Sequence, residues 1–301
     1  MPTTPVVPRG RFAPSPTGPL HFGSLIAAVG SFLDVKTRGG EWLVRVEDVD
    51  TPRVVAGAAD SILATLDAFG LHWEGPVVHQ SQRSDAYETA LADLQQRGLV
   101  FPCTCSRREL AAVAGRGSAG LIYPGTCRRG PFHPGRAAAL RLRVEDLWIG
   151  IDDELQGRHG QNLAQDIGDF VLRRADGVYA YHLAAVVDDA AANISRVTRG
   201  SDLLDSTPRQ CYLQALLGLP RPAYLHLPVA VDAAGHKLSK QTHAPPVDPR
   251  HPVPALLAAL DFLGQSPPSE LRRADLAGVW QWILAHWRTD RIPAVAARRP
   301  F

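Results

Sequence analysis

Arg11-Phe12-Ala13-Pro14-Ser15-Pro16-Thr17-Gly18-Pro19-Leu20-His21-Phe22-Gly23-Ser24 is the stretch that decides the fold. It begins as a short strand, Arg11 to Ser15, and runs into a turn dense in proline and glycine. From Leu20 the spacing predicts a helix with Leu25, Ile26, Val29, Phe32 and Leu33 on one apolar face. Gly39-Gly40 stops that helix, and Glu41 to Val46 alternates as a second strand. The product is a β-α-β unit with small residues at its first corner. Such a corner lets backbone N–H groups and a helix N-terminus come close to phosphate, so the unit reads as the start of an α/β nucleotide-binding fold.

Working outward, Thr51-Pro52 is expected to open a helix, with Ile62, Leu63, Leu66 and Phe69 buried and Gly70 ending it. Another helix follows Ser81, with Tyr87, Leu91 and Leu94 inward and Gly98 at its end. From Phe101 the texture changes to Gly and Pro breaks, three cysteines and short strand-like runs such as Leu140 to Val144. Four segments are therefore expected. Residues 1–100 form the first half of the nucleotide fold, 101–180 an inserted domain, 181–241 the second half and 242–301 a helical C-terminal region. Helices are predicted around Gln210 to Leu217, near 253–264 and near 269–287, and the tail Ala297 to Phe301 is expected to be loosely ordered.

Composition sets the class. The chain has 301 residues, 45% hydrophobic and 21% charged, ample for a sizeable core. Its 32 basic and 30 acidic residues leave a net charge of +2, which excludes a protein that coats nucleic acid through bulk charge and leaves room only for a local basic patch. The opening MPTTPVVPRG lacks the apolar core of a secretory signal. No run approaches the roughly 18 apolar residues of a membrane span, so a soluble cytoplasmic protein is expected.

Two segments carry candidate chemistry. In the first, His21 stands at the helix start beside Gly23 and Ser24, placed to donate to a phosphate oxygen as charge develops. The second is Gly235-His236-Lys237-Leu238-Ser239-Lys240-Gln241, whose two lysines flank a small residue as a triphosphate would require. Either alone is ordinary: a structural turn, or a solvated basic loop. Together and in this order they resemble the HIGH and KMSKS signatures of class I aminoacyl-tRNA synthetases. Phe22 replaces isoleucine, Ser24 the second histidine, Leu238 methionine and Gln241 the last serine. The flanks Arg45-Val46-Glu47-Asp48-Val49-Asp50, Val187-Asp188-Asp189 and Arg199-Gly200-Ser201-Asp202 resemble the glutamyl/glutaminyl branch.

That resemblance implies a Rossmann-like core and a site for glutamate and ATP. The implied catalytic residues are His21, Lys237 and Lys240, with His21, Gly23, Ser24 and Lys240 on ATP. The glutamate site would be Arg11, Phe12, Ala13, Pro14 and Ser15 with Glu47, Tyr181 and Arg199. The chemistry agrees, since glutamate carries two carboxylates and one ammonium, matched by two guanidinium forks and one carboxylate.

Cysteines Cys103, Cys105 and Cys127 fall close together, while Cys211 sits on an apolar helix and reads as core. Three thiolates point to zinc, which takes four ligands. From the residues alone His133 is the natural fourth; the resemblance points instead to Tyr123 in Tyr123-Pro124-Gly125-Thr126-Cys127. Three reduced thiols without metal remain the plain alternative. The chain ends 60 residues past Gln241, at Phe301, which leaves no room for an anticodon-binding domain. It therefore resembles the shortened glutamyl-queuosine tRNA(Asp) synthetases, which implies queuosine-containing tRNA(Asp) as partner, Mg²⁺ with ATP, no membrane and a monomer. Arg107, Arg108, Arg128, Arg129, Arg272 and Arg273 are the expected RNA-backbone contacts. A minimal synthetase charging tRNA(Glu), a glutamyl-adenylate ligase acting on a non-tRNA acceptor, and a catalytically inactive RNA-binding module are the rival readings.

Overall fold

Strand β1 (Arg9–Phe12) runs parallel to β2 (Glu41–Val46), and helix α1 (Phe22–Lys36) crosses between them. The computed structural model describes residues 7–117, 120–238 and 245–300. The predicted apolar face of α1 is buried, and Trp42 on β2 lies wholly inside with its indole N–H donating to Ser31 Oγ at 3.0 Å. Gly39 turns the chain from α1 toward β2 at φ +68°, a conformation that glycine reaches without strain.

Helix α2 (Ala58–Ala68) starts later than the Thr51-Pro52 signal suggested. Residues Thr51–Arg53 make a single 3₁₀ turn, and the Val55 N–H is drawn off to the Pro16 carbonyl at 2.9 Å. The valine pair Val54-Val55 disfavours helix there. Beyond it, β3 (Val78–His79) joins β2 in parallel, and α3 (Ser84–Gln96) buries Tyr87, Leu91 and Leu94 as expected.

The middle of the chain builds a small lobe. Strand β4 (Val100–Cys103), helix α4 (Arg107–Val113), the hairpin β5 (Gly115–Gly117) and β6 (Gly120–Ile122), and β7 (Ala139–Leu142) lie in it. Next come β8 (Trp148–Asp153), β9 (Gly157–Asn162), the short α5 (Leu163–Asp166) and β10 (Val171–Arg173). β10, β7 and β4 form one sheet. The β8–β9 hairpin does not belong to it.

Helix α6 (Tyr181–Ala191), strand β11 (Arg196–Gly200), helix α7 (Thr207–Leu217), and strands β12 (Ala223–Leu227) and β13 (Val229–Ala230) make the second half of the nucleotide fold. Its sheet has the order β11-β12-β8-β9, so the 148–162 hairpin, inside the range read as an insertion, extends this sheet. The Ser195 N–H donates to the Arg9 carbonyl at 2.9 Å and sets β11 beside β1. Successive strands thus lead away from β1 on one side and from β11 on the other. A doubly wound sheet opens a crevice at the strands' carboxyl ends where its winding reverses.

Helices α8 (Pro252–Phe262) and α9 (Leu276–His286) follow, and 269–273 is a 3₁₀ turn in place of the start of the single helix expected near 269–287. The expectation of a loose tail is overturned at β14 (Ala297–Arg298), which pairs in parallel with β13 as a separate two-stranded sheet. An open edge has unpaired backbone groups, and the tail satisfies them.

Gly168 packs against the Tyr123 backbone inside the small lobe. Its φ is +72°, and a Cβ there would lie 2.5 Å from the Tyr123 backbone. Gly168→Ala is expected to lose at least the roughly 1–3 kcal/mol of left-handed strain, read as a lower urea midpoint with unchanged slope.

Candidate active site

The carboxyl ends of β1, β2, β11 and β12 converge on a cleft of about 940 Å³. All eight residues expected to hold the amino acid, Arg11, Phe12, Ala13, Pro14, Ser15, Glu47, Tyr181 and Arg199, line it, and so do His21, Gly23, Ser24 and Lys237. Lys240 lies outside the described residues.

One wall is charged and buried. Arg11 Nε donates to Asp189 Oδ1 at 3.0 Å, and Arg45 Nη1 donates to the same oxygen at 2.5 Å. Arg45 Nη2 reaches Glu47 Oε1 at 3.1 Å. Burial opposes charge on Asp189, yet Arg11 and Arg45 hold its carboxyl down to about 2. The neighbouring Asp188 accepts from Gln80, Arg83 and Tyr87 at 2.8, 2.6 and 2.7 Å and ties α3 to the same place. Arg45, Asp188 and Asp189 lie in the sequence motifs, but the sequence alone gives them no role. Two adjacent acids on an otherwise apolar helix were the available signal, because buried carboxylates need cationic partners.

The facing wall holds Arg199, 6% exposed, whose Nη1 donates to Tyr181 Oη at 3.1 Å. The tyrosine oxygen therefore accepts from the arginine and keeps its own hydrogen for a ligand. At the far end of the cleft His21 caps α1, its Nδ1 accepting from the Ser24 N–H at 3.3 Å. Gly23 lies so near the lysine segment that a Cβ would come within 2.9 Å of the Leu238 carbonyl. The two signature segments, more than 200 residues apart, meet there. Lys237 Nζ lies 2.5 Å from Asp202 Oδ2.

In the small lobe the Sγ atoms of Cys103, Cys105 and Cys127 all lie within 4.8 Å of one another, a grouping able to hold a metal ion. The Tyr123 hydroxyl sits 3.4 Å from Cys103 Sγ and accepts from the Cys127 N–H at 2.8 Å. His133 Nε2 is instead 2.8 Å from Glu109 Oε1. Burial works against charge on Cys127, but the Phe132 and Thr104 N–H groups bring its thiol down to about 6, while burial and the adjacent thiols push Cys105 up to about 12. Cys211 is buried in a separate apolar cluster, as expected. Among the RNA-contact candidates, Arg128 is committed to Asp169 through two bonds of 2.7 and 2.6 Å, whereas Arg107, Arg108, Arg129, Arg272 and Arg273 are exposed. Among the described residues no helix is long and apolar enough to cross a membrane.

The family model for the catalytic domain of class I tRNA synthetases (E and Q) matches residues 8–251. A glutamyl-Q tRNA(Asp) synthetase of Dechloromonas aromatica (strain RCB) is 58% identical over 287 residues, covering 95% of each chain. One of Aromatoleum aromaticum is 55% identical, covering 94% of this chain and 90% of its own. A crystal structure of a glutamate tRNA ligase from Elizabethkingia meningosepticum in complex with its amino acid superposes with a TM-score of 0.79 at 24% identity. It covers 97% of this chain and 67% of its own, a likeness of fold.

Burial pushes the Glu47 carboxyl above the usual glutamate range, against the pull of Arg45 and Arg11. Stability that the neutral carboxyl keeps below about pH 4.3 is lost as pH rises through the raised value. Glu47→Gln is therefore expected to melt above the wild type at pH 7.5, the gap closing toward pH 4. Thermal melts across that range check it, and a variant melting lower at pH 7.5 would show that Arg45 depends on the charge.

Proposed function

The chain belongs to the class I tRNA synthetases of the E and Q type, and on that premise we propose that it activates L-glutamate with ATP and passes it to tRNA. The α-carboxylate of glutamate attacks the α-phosphorus of ATP, pyrophosphate leaves, and glutamyl-adenylate forms without tRNA. A hydroxyl of the queuosine cyclopentenediol, at the first anticodon position of tRNA(Asp), then takes the glutamyl group and AMP leaves. The relatives' names and their full-length match support this acceptor.

The observation that carries the glutamate reading is the charge pattern of the cleft. Two arginine forks, Arg11 and Arg199, stand with Glu47 and Tyr181 around one space. Arg11 and Arg199 would take the carboxylates, Glu47 the ammonium and Tyr181 a further hydrogen bond, with Phe12, Ala13, Pro14 and Ser15 as the floor. His21, Gly23 and Ser24 would receive ATP, accompanied by Mg²⁺. Lys237, released from Asp202 by the triphosphate, and Lys240 would neutralise charge as pyrophosphate departs. Most of the catalysis would come from positioning and electrostatics.

Cys103, Cys105, Cys127 and Tyr123 are the proposed holders of one structural zinc, supported by the close thiols and by a tyrosine hydroxyl set against them while His133 is occupied by Glu109. Bound zinc would fix the lobe that faces RNA, where Arg107, Arg108 and Arg129 supply exposed positive charge. Elemental analysis should find one zinc per chain. Cys127→Ala should lose it, Tyr123→Phe should release it to a chelator faster, and His133→Ala should keep it; loss on His133→Ala would overturn the tyrosine assignment.

The deciding experiment offers labelled glutamate and ATP with queuosine-containing tRNA(Asp), the same tRNA lacking queuosine, and tRNA(Glu). Label on the first alone is expected. Label on tRNA(Glu) would make the chain a minimal charging synthetase and leave the glutamate chemistry standing.

A further inference from the structure

We propose that the buried pair Asp153–His226 is a positioning device for Arg199, fixing the guanidinium that takes a glutamate carboxylate while leaving its charge undiminished. The inference rests on the glutamate reading above and deepens it.

Arg199 spends its donors on three neighbours besides Tyr181. Nη2 donates to Thr207 Oγ1 at 2.9 Å and to the Leu203 carbonyl at 3.4 Å, and Nε points at His226 Nε2, 3.1 Å away. Guanidinium nitrogens only donate, so His226 Nε2 must offer a lone pair. That requires a neutral ring with its hydrogen on Nδ1. The structure supplies the reason: His226 Nδ1 lies 2.6 Å from Asp153 Oδ2, and a carboxylate is acceptor-only. The other Asp153 oxygen accepts the backbone N–H groups of Leu155, Gln156 and His226 at 3.0, 2.8 and 3.2 Å, which prevents the carboxylate from turning away. Both side chains are fully buried at 0% exposure. Burial holds the imidazole below the ordinary histidine range, which keeps it neutral.

The three residues come from neighbouring strands, Asp153 from β8, His226 from β12 and Arg199 from β11. Their chemistry explains why a histidine stands between acid and arginine. A carboxylate placed directly on Arg199 would neutralise the charge meant for the substrate. An imidazole acceptor fixes the same Nε–H and carries no charge, so the guanidinium keeps its full positive charge for a substrate carboxylate. Arg11 contrasts with it: it shares the Asp189 carboxylate with Arg45.

The test is glutamate-dependent ATP–pyrophosphate exchange on the full chain, with KM for glutamate and for ATP measured separately. Wild type must first show the exchange; its absence would sink the glutamate reading itself, not this refinement of it. Asp153→Asn keeps an oxygen for the three backbone N–H groups but presents an amide to His226 Nδ1. The ring hydrogen then moves to Nε2, where it opposes the Arg199 Nε–H. KM for glutamate should rise roughly 10- to 100-fold, with KM for ATP held within about twofold. His226→Leu, which removes the acceptor, should match it. His226→Gln, which offers an oxygen near the lost Nε2, should stay within about threefold of wild type. Melting curves identify any variant that fails to fold; if Asp153→Asn is one, the leucine and glutamine variants carry the comparison. An unchanged glutamate KM in Asp153→Asn or His226→Leu, or a glutamine variant no better than leucine, overturns the proposal.

Discussion

A single carboxylate oxygen on α6, Asp189 Oδ1, receives both Arg11 from β1 and Arg45 from β2. Charges removed from water persist only when paired and hydrogen-bonded, so this contact fixes the relative placement of two strands and a helix. Its neighbour Asp188 gathers Gln80, Arg83 and Tyr87 and binds α3 to the same helix. These two acids tie together the elements that wall the cleft. Groups already held in place cost little to organise when substrate arrives, which is where electrostatic catalysis gains most.

The phosphate end of the cleft is held by a different principle. Gly23 has no side chain and lies against the Leu238 carbonyl, so the helix that caps on His21 and the segment carrying Lys237 come into contact. The Val247 N–H bonds the Leu20 carbonyl at 3.0 Å and returns the chain to that turn from beyond the lysine segment. Close backbone approach thus joins at one end of the site what buried charge joins at the other. Between them lies a space of the right polarity for an amino acid and a nucleotide.

The legible elements had strong periodicity. Strand β2 lies at Glu41–Val46 as read, and the inward residues of α1 and α3 are those the 3.6-residue spacing picked out. Misreadings came where a long-range bond overrode a local signal. Thr51-Pro52 looks like a helix start, but Val55 bonds Pro16 and the helix waits until Ala58. The tail composition reads as loose, yet β13 offers an edge and Ala297-Arg298 fill it. The 148–162 hairpin has short, ordinary strands, and nothing in them says which sheet they will join.

Residue types, spacing and order by themselves determined that this chain carries a strand-turn-helix suited to phosphate, a distant paired-lysine segment and the charged groups that suit glutamate. Those are local or compositional properties, and they survive in a linear reading. What only the tertiary structure decided is which charges face each other. Asp189 under Arg11 and Arg45, and His226 between Asp153 and Arg199, are pairings between residues from 27 to 178 positions apart. Hydrogen bonding reaches only about 3 Å, so a partner is chosen by where the folded backbone brings it.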